Sequence, residues 1–538
     1  MTNPKICWQV TMTKRKNFMR YGLRSAAGLV GAAIAAAVVA FLCLVPLPNF
    51  TANARSQLVT PTPSDQRLIC PGSIVDVLTL DGDATSFGAL GVPEYVTSER
   101  ETPITQTALS APDAFSGDPL TQPQQLFAPA PTTDATPQIA GVQSQQLATE
   151  SISGLATAAC GEATTDTWLV GGSTQTGRTT LLFLTNPTEV AANVTVTVLG
   201  ENGWVSGPGS SGIIVDPASQ RIVSLAALAP NLDNPVVRVT STGGQIVPTL
   251  QHSVIRTLLP DGVELISPGA SPSSRLVIPG IRLSGMSSEH SSEGGEVTID
   301  SEPAIRVGVP GEQEATVTVT AYGVSGAPVA VKSTIPGGRV VELPFGSLGD
   351  GVYTLVVSAT QPVVAAARTM NYADIDPFTT TTAAAAATST SSPTPSASAP
   401  SAPTGPEQAA GPDAAGPDAV GPSTPLIAGD FTWNVSTLPV LGETLVSVSS
   451  GPQPTLTIFN ANKADVTIRL SERDASLPDV TIPAYGVRAV PLTPGARYVL
   501  SSEVAVYAAV NYAGKGLGAS VPLSPASPLA SGIMVFPR

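Results

Sequence analysis

The chain has 538 residues with a formal net charge of −14, 42% hydrophobic and only 12% charged residues. Six positive charges (Lys5, Lys14, Arg15, Lys16, Arg20, Arg24) fall in the first 24 residues, so the rest carries 20 basic against 40 acidic groups. That excess of acid excludes nucleic acid as a partner, because phosphate binding needs a basic surface.

The first element is apolar. Ala26 to Val45 contains no charge, and at ~1.5 Å per residue such a run reaches the ~30 Å of a hydrocarbon core. The basic residues before it predict a cytoplasmic N-terminus and an extracytoplasmic bulk. A cleavable signal competes with a permanent anchor, since Ala52-Asn53-Ala54 fits a small-x-small cleavage site behind Pro46 and Pro48. Both readings export the remainder. Gly28 and Gly31 could let two such helices approach, although alanine-rich spans carry that spacing by chance. Cys7 precedes the run and Cys43 lies in it, which leaves Cys70 and Cys160 as an exported pair expected to form a disulfide.

Compositional zones divide the exported part. Residues 101–150 are rich in Pro, Gln, Thr and Ala, and residues 379–425 are almost wholly Thr, Ala, Ser, Pro, Gly and Asp. Both are expected to stay extended or disordered, because they offer little apolar surface against chain entropy. The second zone would act as a spacer between modules. A shorter Ser/Glu/Gly-rich zone near 284–295 reads as a loop.

Between the zones the period is two. Val194–Val198, Ala315–Thr320 and Val466–Leu470 alternate apolar and polar residues, as half-buried strands do. They belong to a repeat that opens on an apolar strand: Leu181–Leu184 running to Asn186-Pro187, Ile305–Val309, and Leu456–Phe459. Each unit then has the alternating strand, a Pro hairpin and a closing strand pair. The closing pairs are Val236–Thr240 with Ile246–Leu250, Tyr353–Val357 with Val363–Ala367, and Arg497–Leu500 with Val504–Val510. Five to seven short strands per unit predict a small antiparallel sandwich.

Cys160-Gly161-Glu162, Trp168-Leu169-Val170-Gly171-Gly172, Gly177-Arg178-Thr179-Thr180-Leu181-Leu182 and Asn186-Pro187 resemble an actinobacterial family of exported proteins, domain of unknown function 5719. The likeness covers roughly residues 65–375. It implies an N-terminal anchor and a β-rich envelope ectodomain, and it implies no enzymatic activity and no catalytic residues.

The motifs for chemistry are sparse. Gly172–Thr179 imitates a phosphate loop, but Arg178 replaces lysine and a strand rather than a helix follows, so a Gly-rich turn is the better reading. Only His252 and His290 could serve a triad. His252 reads as a locally satisfied strand residue and His290 as a loop residue. Asp81-Gly82-Asp83 is one short acidic turn, too few oxygens for calcium. Trp204 and Trp433 are the candidates for stacking on a sugar ring, with ordinary packing as the plainer alternative for both.

The expectation is therefore an all-β chain of tandem Ig-like sandwich modules behind one transmembrane helix. The divisions are a basic tail (1–25), the helix or signal (26–48), the first strands of module one (65–100), a flexible insertion (101–150), module one (151–270), module two (271–378), a linker (379–425) and module three (426–538). No catalytic residue, metal or cofactor is expected. The partners are the membrane, through that helix, and cell-wall glycan or another envelope protein. The function expected is that of an anchored envelope scaffold. A glycan-binding or glycosyltransferase-accessory module is the alternative, and a carboxylate-dependent glycoside hydrolase the next.

Overall fold

The computed structural model describes residues 57–59, 64–79, 85–116, 118–130, 138–256, 259–285, 302–345, 348–372, 428–472, 475–525 and 533–535. The apolar run 26–48, the 54/55 cleavage site, Asp81, Asp83, His290 and the 379–425 linker lie outside them. The chain divides into two units, residues 1–60 with 532–538, and residues 61–531. In the first, Gln57–Val59 pairs antiparallel with Ile533–Val535. Among the described residues, no helix is long and apolar enough to cross a membrane.

The second unit is built of β-sandwiches. In the first, Asp166–Val170, Val236–Gly243, Ala192–Gly200 and Gly203–Val205 form one sheet, and Ser219–Ser224, Arg178–Asn186, Val247–Arg256 and Leu259–Ile266 form the other. Leu182, Leu184, Leu250 and Val254 of the second sheet share a core with Val194, Val196, Val198, Val237 and Val239 of the first. The opposite face of the second sheet is covered too. Leu181, Phe183, Ile222, Val263 and Leu265 pack against Ile74, Val75, Ile152, Ala156 and Ala158. That double coverage explains why Leu181–Leu184 is continuously apolar: a strand buried on both faces has no solvent side on which to place polar residues.

In the other two repeats the closing strand pair is one long strand. Gly351–Tyr372 pairs in its first half with Ser273–Leu283 and Ala315–Gly323, and in its second half with Ala304–Val309. Residues 360–362 have no register partner, and here the strand passes from one sheet to the next, as sandwich corners do. Pro362, which has no N–H to offer a ladder, sits at this corner. Arg497–Gly514 repeats the arrangement. Its first half pairs with Val440–Ser447 and Val466–Glu472, its second with Thr455–Phe459 and Leu517–Pro522. In the first sandwich Gly243, at φ +83°, breaks the same stretch into two strands.

Two expectations are corrected. The described residues of 101–150 are not a flexible insertion. Thr105–Ala108 and Gln124–Ala128 form a sheet with Gln66–Cys70, and Gln138–Ala148 pairs with Glu94–Arg100 and Ser153–Ala159. Gln143 and Gln145 of this segment act as backbone mimics, as do Gln220 and Gln251 of the first sandwich. Gln143 accepts from the Gly72 amide at 3.0 Å and donates to its carbonyl at 2.7 Å, and Gln251 does the same to Val75 at 2.9 and 2.7 Å. Gln145 accepts from Ile74 N at 2.9 Å, and Gln220 donates to Pro71 O at 2.9 Å. All four side chains are buried, so residues 71–75 are held by amides from other elements.

The third module does not begin at 426, nor is it held apart by a spacer. Ala428–Val435 completes the sheet of the second repeat, with Tyr372 opposite Ala428 and Ala366 opposite Val435. Val277 and Val356 of the second repeat share a small core with Phe459 and Val487 of the third.

Candidate functional site

The disulfide joins Cys70 to Cys160, with Cα atoms 4.2 Å apart. It fastens the end of Gln66–Cys70 beside Ser153–Ala159, and Ile69 and Gly161 exchange backbone hydrogen bonds next to it at 2.8 and 2.9 Å.

The two tryptophans part company. Trp204 is 44% exposed and stands edge-on to buried Trp168, ring centroids 6.1 Å apart. Trp433 is 3% exposed, which corrects its candidacy as a sugar platform. Its place in Ala428–Val435 explains this. Period two sends Phe431, Trp433 and Val435 into the core of the first sandwich, while Asp430 and Asn434 bond to elements on the other side.

What Trp433 meets is a buried ionic cluster. Arg306 and Arg368 sit over its ring at 4.7 and 5.5 Å. Glu342 bridges the two guanidinium groups, at 2.7 Å to Arg306 and 3.1 Å to Arg368. Arg306, 1% exposed, also donates to the carbonyls of Gly172, Pro235 and Asp233 at 2.8, 2.9 and 3.2 Å, and to Asn234 Oδ1 at 3.2 Å. Arg368 reaches Glu302 O at 3.1 Å. Burial lowers the Arg306 guanidinium from its usual range, against the pull of Glu342. Burial also works on Glu342 to raise it, but the two arginines prevail and hold its carboxyl below the usual range. Two cations on one carboxylate leave an excess positive charge, which the electron-rich face of Trp433 offsets in part. Arg306 thereby bolts the second repeat to two loops of the first. Gly171 stands against the Trp433 ring, where a Cβ would lie 3.1 Å from Cδ2. The Trp168–Gly172 string thus docks one repeat on another. The neighbouring Gly172–Thr179 segment is a turn, with Thr174 bonded to Ala229 O and Leu232 O at 2.7 and 2.9 Å and a strand following it.

A second buried group contains Glu264 and Asp430. Asp430 accepts four backbone amides: Phe431 and Val263 on Oδ1 at 3.0 and 3.3 Å, Leu155 and Gly518 on Oδ2 at 2.9 and 3.1 Å. Glu264 Oε1 accepts from Leu265 at 3.2 Å and Thr157 at 3.4 Å, the Trp433 amide also acts on this carboxyl, and Oε2 has no hydrogen-bond partner among the described residues. Burial pushes both carboxyls well above their usual range, and for Glu264 the charge of Asp430 adds to this. Oε2 makes Glu264 the better place for a proton. His252, 3% exposed, lies opposite Glu264 in register, with Nδ1 3.0 Å from Thr180 Oγ1 and its ring 5.1 Å from Phe431. These carboxylates are sealed from solvent, so neither reaches a glycan in this fold.

A cavity of about 750 Å³ opens where the N-terminal strands, the second repeat and the third converge. Val142, Leu276, Val446 and Val521 are among its wall, with Gln66, Gln138, Thr437 and Thr444. Among the described residues, no group of three or more His, Cys, Asp or Glu side chains could hold a metal ion.

Sequence reasoning missed Arg306, Glu342, Arg368, Glu264 and Asp430. For Arg306 a signal existed, a single charge inside the apolar run Ile305–Val309.

Stacked antiparallel sandwiches, a buried disulfide and an interior ionic bolt define an all-β, multi-sandwich protein. The chain belongs to the family of unknown function DUF5719, which matches residues 116–409, more than half of its length. The match begins beyond Cys70, so it is narrower at that end than the resemblance read from the sequence. No curated protein and no solved structure matches the chain.

Proposed function

We propose that this protein is a non-catalytic extracytoplasmic scaffold of the cell envelope, held at the membrane through residues 26–48. The observation that carries this reading is the Arg306–Glu342–Arg368–Trp433 cluster. Within it, Arg306 is held by Glu342 and reaches across to carbonyls of the first repeat, as a rigid interaction platform requires. The Cys70–Cys160 bond suits an oxidising compartment, and the charge asymmetry about Ala26–Val45 suits an N-in, C-out chain.

Fractionation of intact cells, with external protease and mass measurement of the mature N-terminus, tests the placement. A membrane-bound chain that protease removes from outside is expected. Recovery in the cytosol with both thiols free overturns the reading. A mature N-terminus at Arg55 replaces the anchored protein with a secreted one. In-cell crosslinking of the ectodomain tests the scaffold role, with envelope proteins as the expected neighbours.

Exposed Trp204 favours glycan recognition as a second reading. Retention of the protein on insoluble cell-wall polysaccharide, lost in Trp204→Ala, supports it. No retention at any ionic strength ends it.

A further inference from the structure

We propose that the outer edge of Val329–Ile335, in the second repeat, accepts an added β-strand from an extended partner peptide that is apolar at alternate positions and carries a carboxylate between them. The proposal stands on this edge alone and goes beyond the scaffold reading.

The repeats themselves supply the comparison. In each, the alternating strand carries the outermost strands of its sheet. On Ala192–Gly200 these are Gly203–Val205 and Ile213–Val215, three residues each. On Val466–Glu472 they are Ala475–Ser476 and Val480–Ile482, of two and three residues. Short, interrupted edges of this kind resist pairing with another chain. On Ala315–Gly323 the edge is instead one unbroken strand of seven residues, Val329–Ile335. Among the described residues it pairs with a strand on one side only, so a row of its backbone N–H and C=O groups faces away from the sheet. Such a row is a template for strand addition, in which main-chain hydrogen bonds supply the affinity.

The second observation is a groove beside that edge. Val329 lies opposite Ala321 and Val331 opposite Val319, and both partners belong to the core of this repeat. Val329 and Val331 therefore point to the core side, yet they stay 39% and 47% exposed. With half-buried Leu343 and exposed Pro344 of Arg339–Pro344 they line a shallow apolar groove. Alternate side chains of an added strand would lie over it.

The third observation is charge. On the other face, Lys332 falls in one cross-strand row with Thr318, Ser358 and Arg275. That row has a cation at each end and no carboxylate, so an acid opposite Lys332 completes it. The same lysine selects against a second copy of this chain. Antiparallel self-pairing through the middle of the strand sets Lys332 opposite or diagonal to its counterpart, and like charges so placed repel.

Hydrogen exchange on the full chain in lipid nanodiscs tests this, with the end-capped peptide Thr-Val-Thr-Val-Glu-Val-Thr-Val-Thr as the probe. Saturable new protection is expected in 329–335, and none from the same peptide N-methylated throughout its middle. Lys332→Glu should weaken the probe several-fold and favour instead a peptide with Lys in place of Glu. Val331→Ser should weaken both peptides alike with the thermal midpoint little changed, because Val331 already meets solvent. No saturable protection, equal binding of the N-methylated peptide, or an unchanged charge preference in Lys332→Glu overturns the proposal. So does strand-like protection of every amide of 329–335 in the free chain. If that protection grows with concentration, a second copy covers the edge; if it does not, the chain covers its own edge.

Discussion

Glu342 holds two guanidinium groups in an interior that few charges enter, so its neutralisation should be costly. Removing one partner of a buried ion pair typically destabilises by about 3–5 kcal/mol. Glu342→Gln should therefore lower the denaturant midpoint by a corresponding amount, measured by chemical unfolding. Burial raises both Glu264 and Asp430, but the two should answer differently to replacement by an amide. A carboxyl raised by burial keeps its proton in the folded chain at a pH where the unfolded chain, with its pKa of about 4, has released it. The folded form then binds more protons, so stability falls as pH rises from about 4 toward the raised folded value. Glu264→Gln should flatten that fall in a pH series of unfolding midpoints, because Oε2 has no partner to lose. Asp430→Asn should instead destabilise most above the raised folded value, where the ionised carboxylate accepts all four amides. Both its oxygens accept two amides, and an NH₂ in place of either would confront two donors.

At the scale of elements, the disulfide fastens the strand Gln66–Cys70 and the glutamine amides fasten residues 71–75 behind it. The disulfide closes a loop with a sequence separation of 90, and removing a native disulfide typically costs about 2–5 kcal/mol. Cys70→Ser with Cys160→Ser should lose about that much in chemical unfolding. Hydrogen exchange should show amide protection falling first in 66–70 and its partner 124–128. Gln143→Leu should cost about 1–3 kcal/mol for each buried Gly72 group it leaves unpaired, which the same unfolding measurement reads. The glutamines were visible in the sequence as low-complexity polar residues. Their role was not, because an amide side chain imitates a strand only when another backbone lies opposite it. The long strands Gly351–Tyr372 and Arg497–Gly514 were read as pairs for a related reason. A corner with no ladder partner looks like a turn in one dimension.

For the molecule as a whole, the repeats are one interlocked body in residues 61–531 rather than beads on a spacer. The strand after the linker pairs with the strand before it, and the second and third repeats share apolar contacts. A protease site engineered near residue 400 should accordingly yield two fragments that co-elute under native conditions and separate only in denaturant. Separation on native gel filtration would show that this pairing does not hold the repeats together.

Sequence alone determined the all-β class, the pairing of Cys70 with Cys160 and the family, because alternation, cysteine count and the Trp168–Gly172 string are local features. It also set out the charge asymmetry about Ala26–Val45. Tertiary structure decided which repeat Ala428–Val435 belongs to, that Trp433 is buried while Trp204 meets solvent, and that Arg306 spans two repeats. It also decided where a cavity forms. These depend on contacts between residues 56 to 275 positions apart, from Tyr372 opposite Ala428 to Leu155 on Asp430, and no local period records which distant strand will lie opposite.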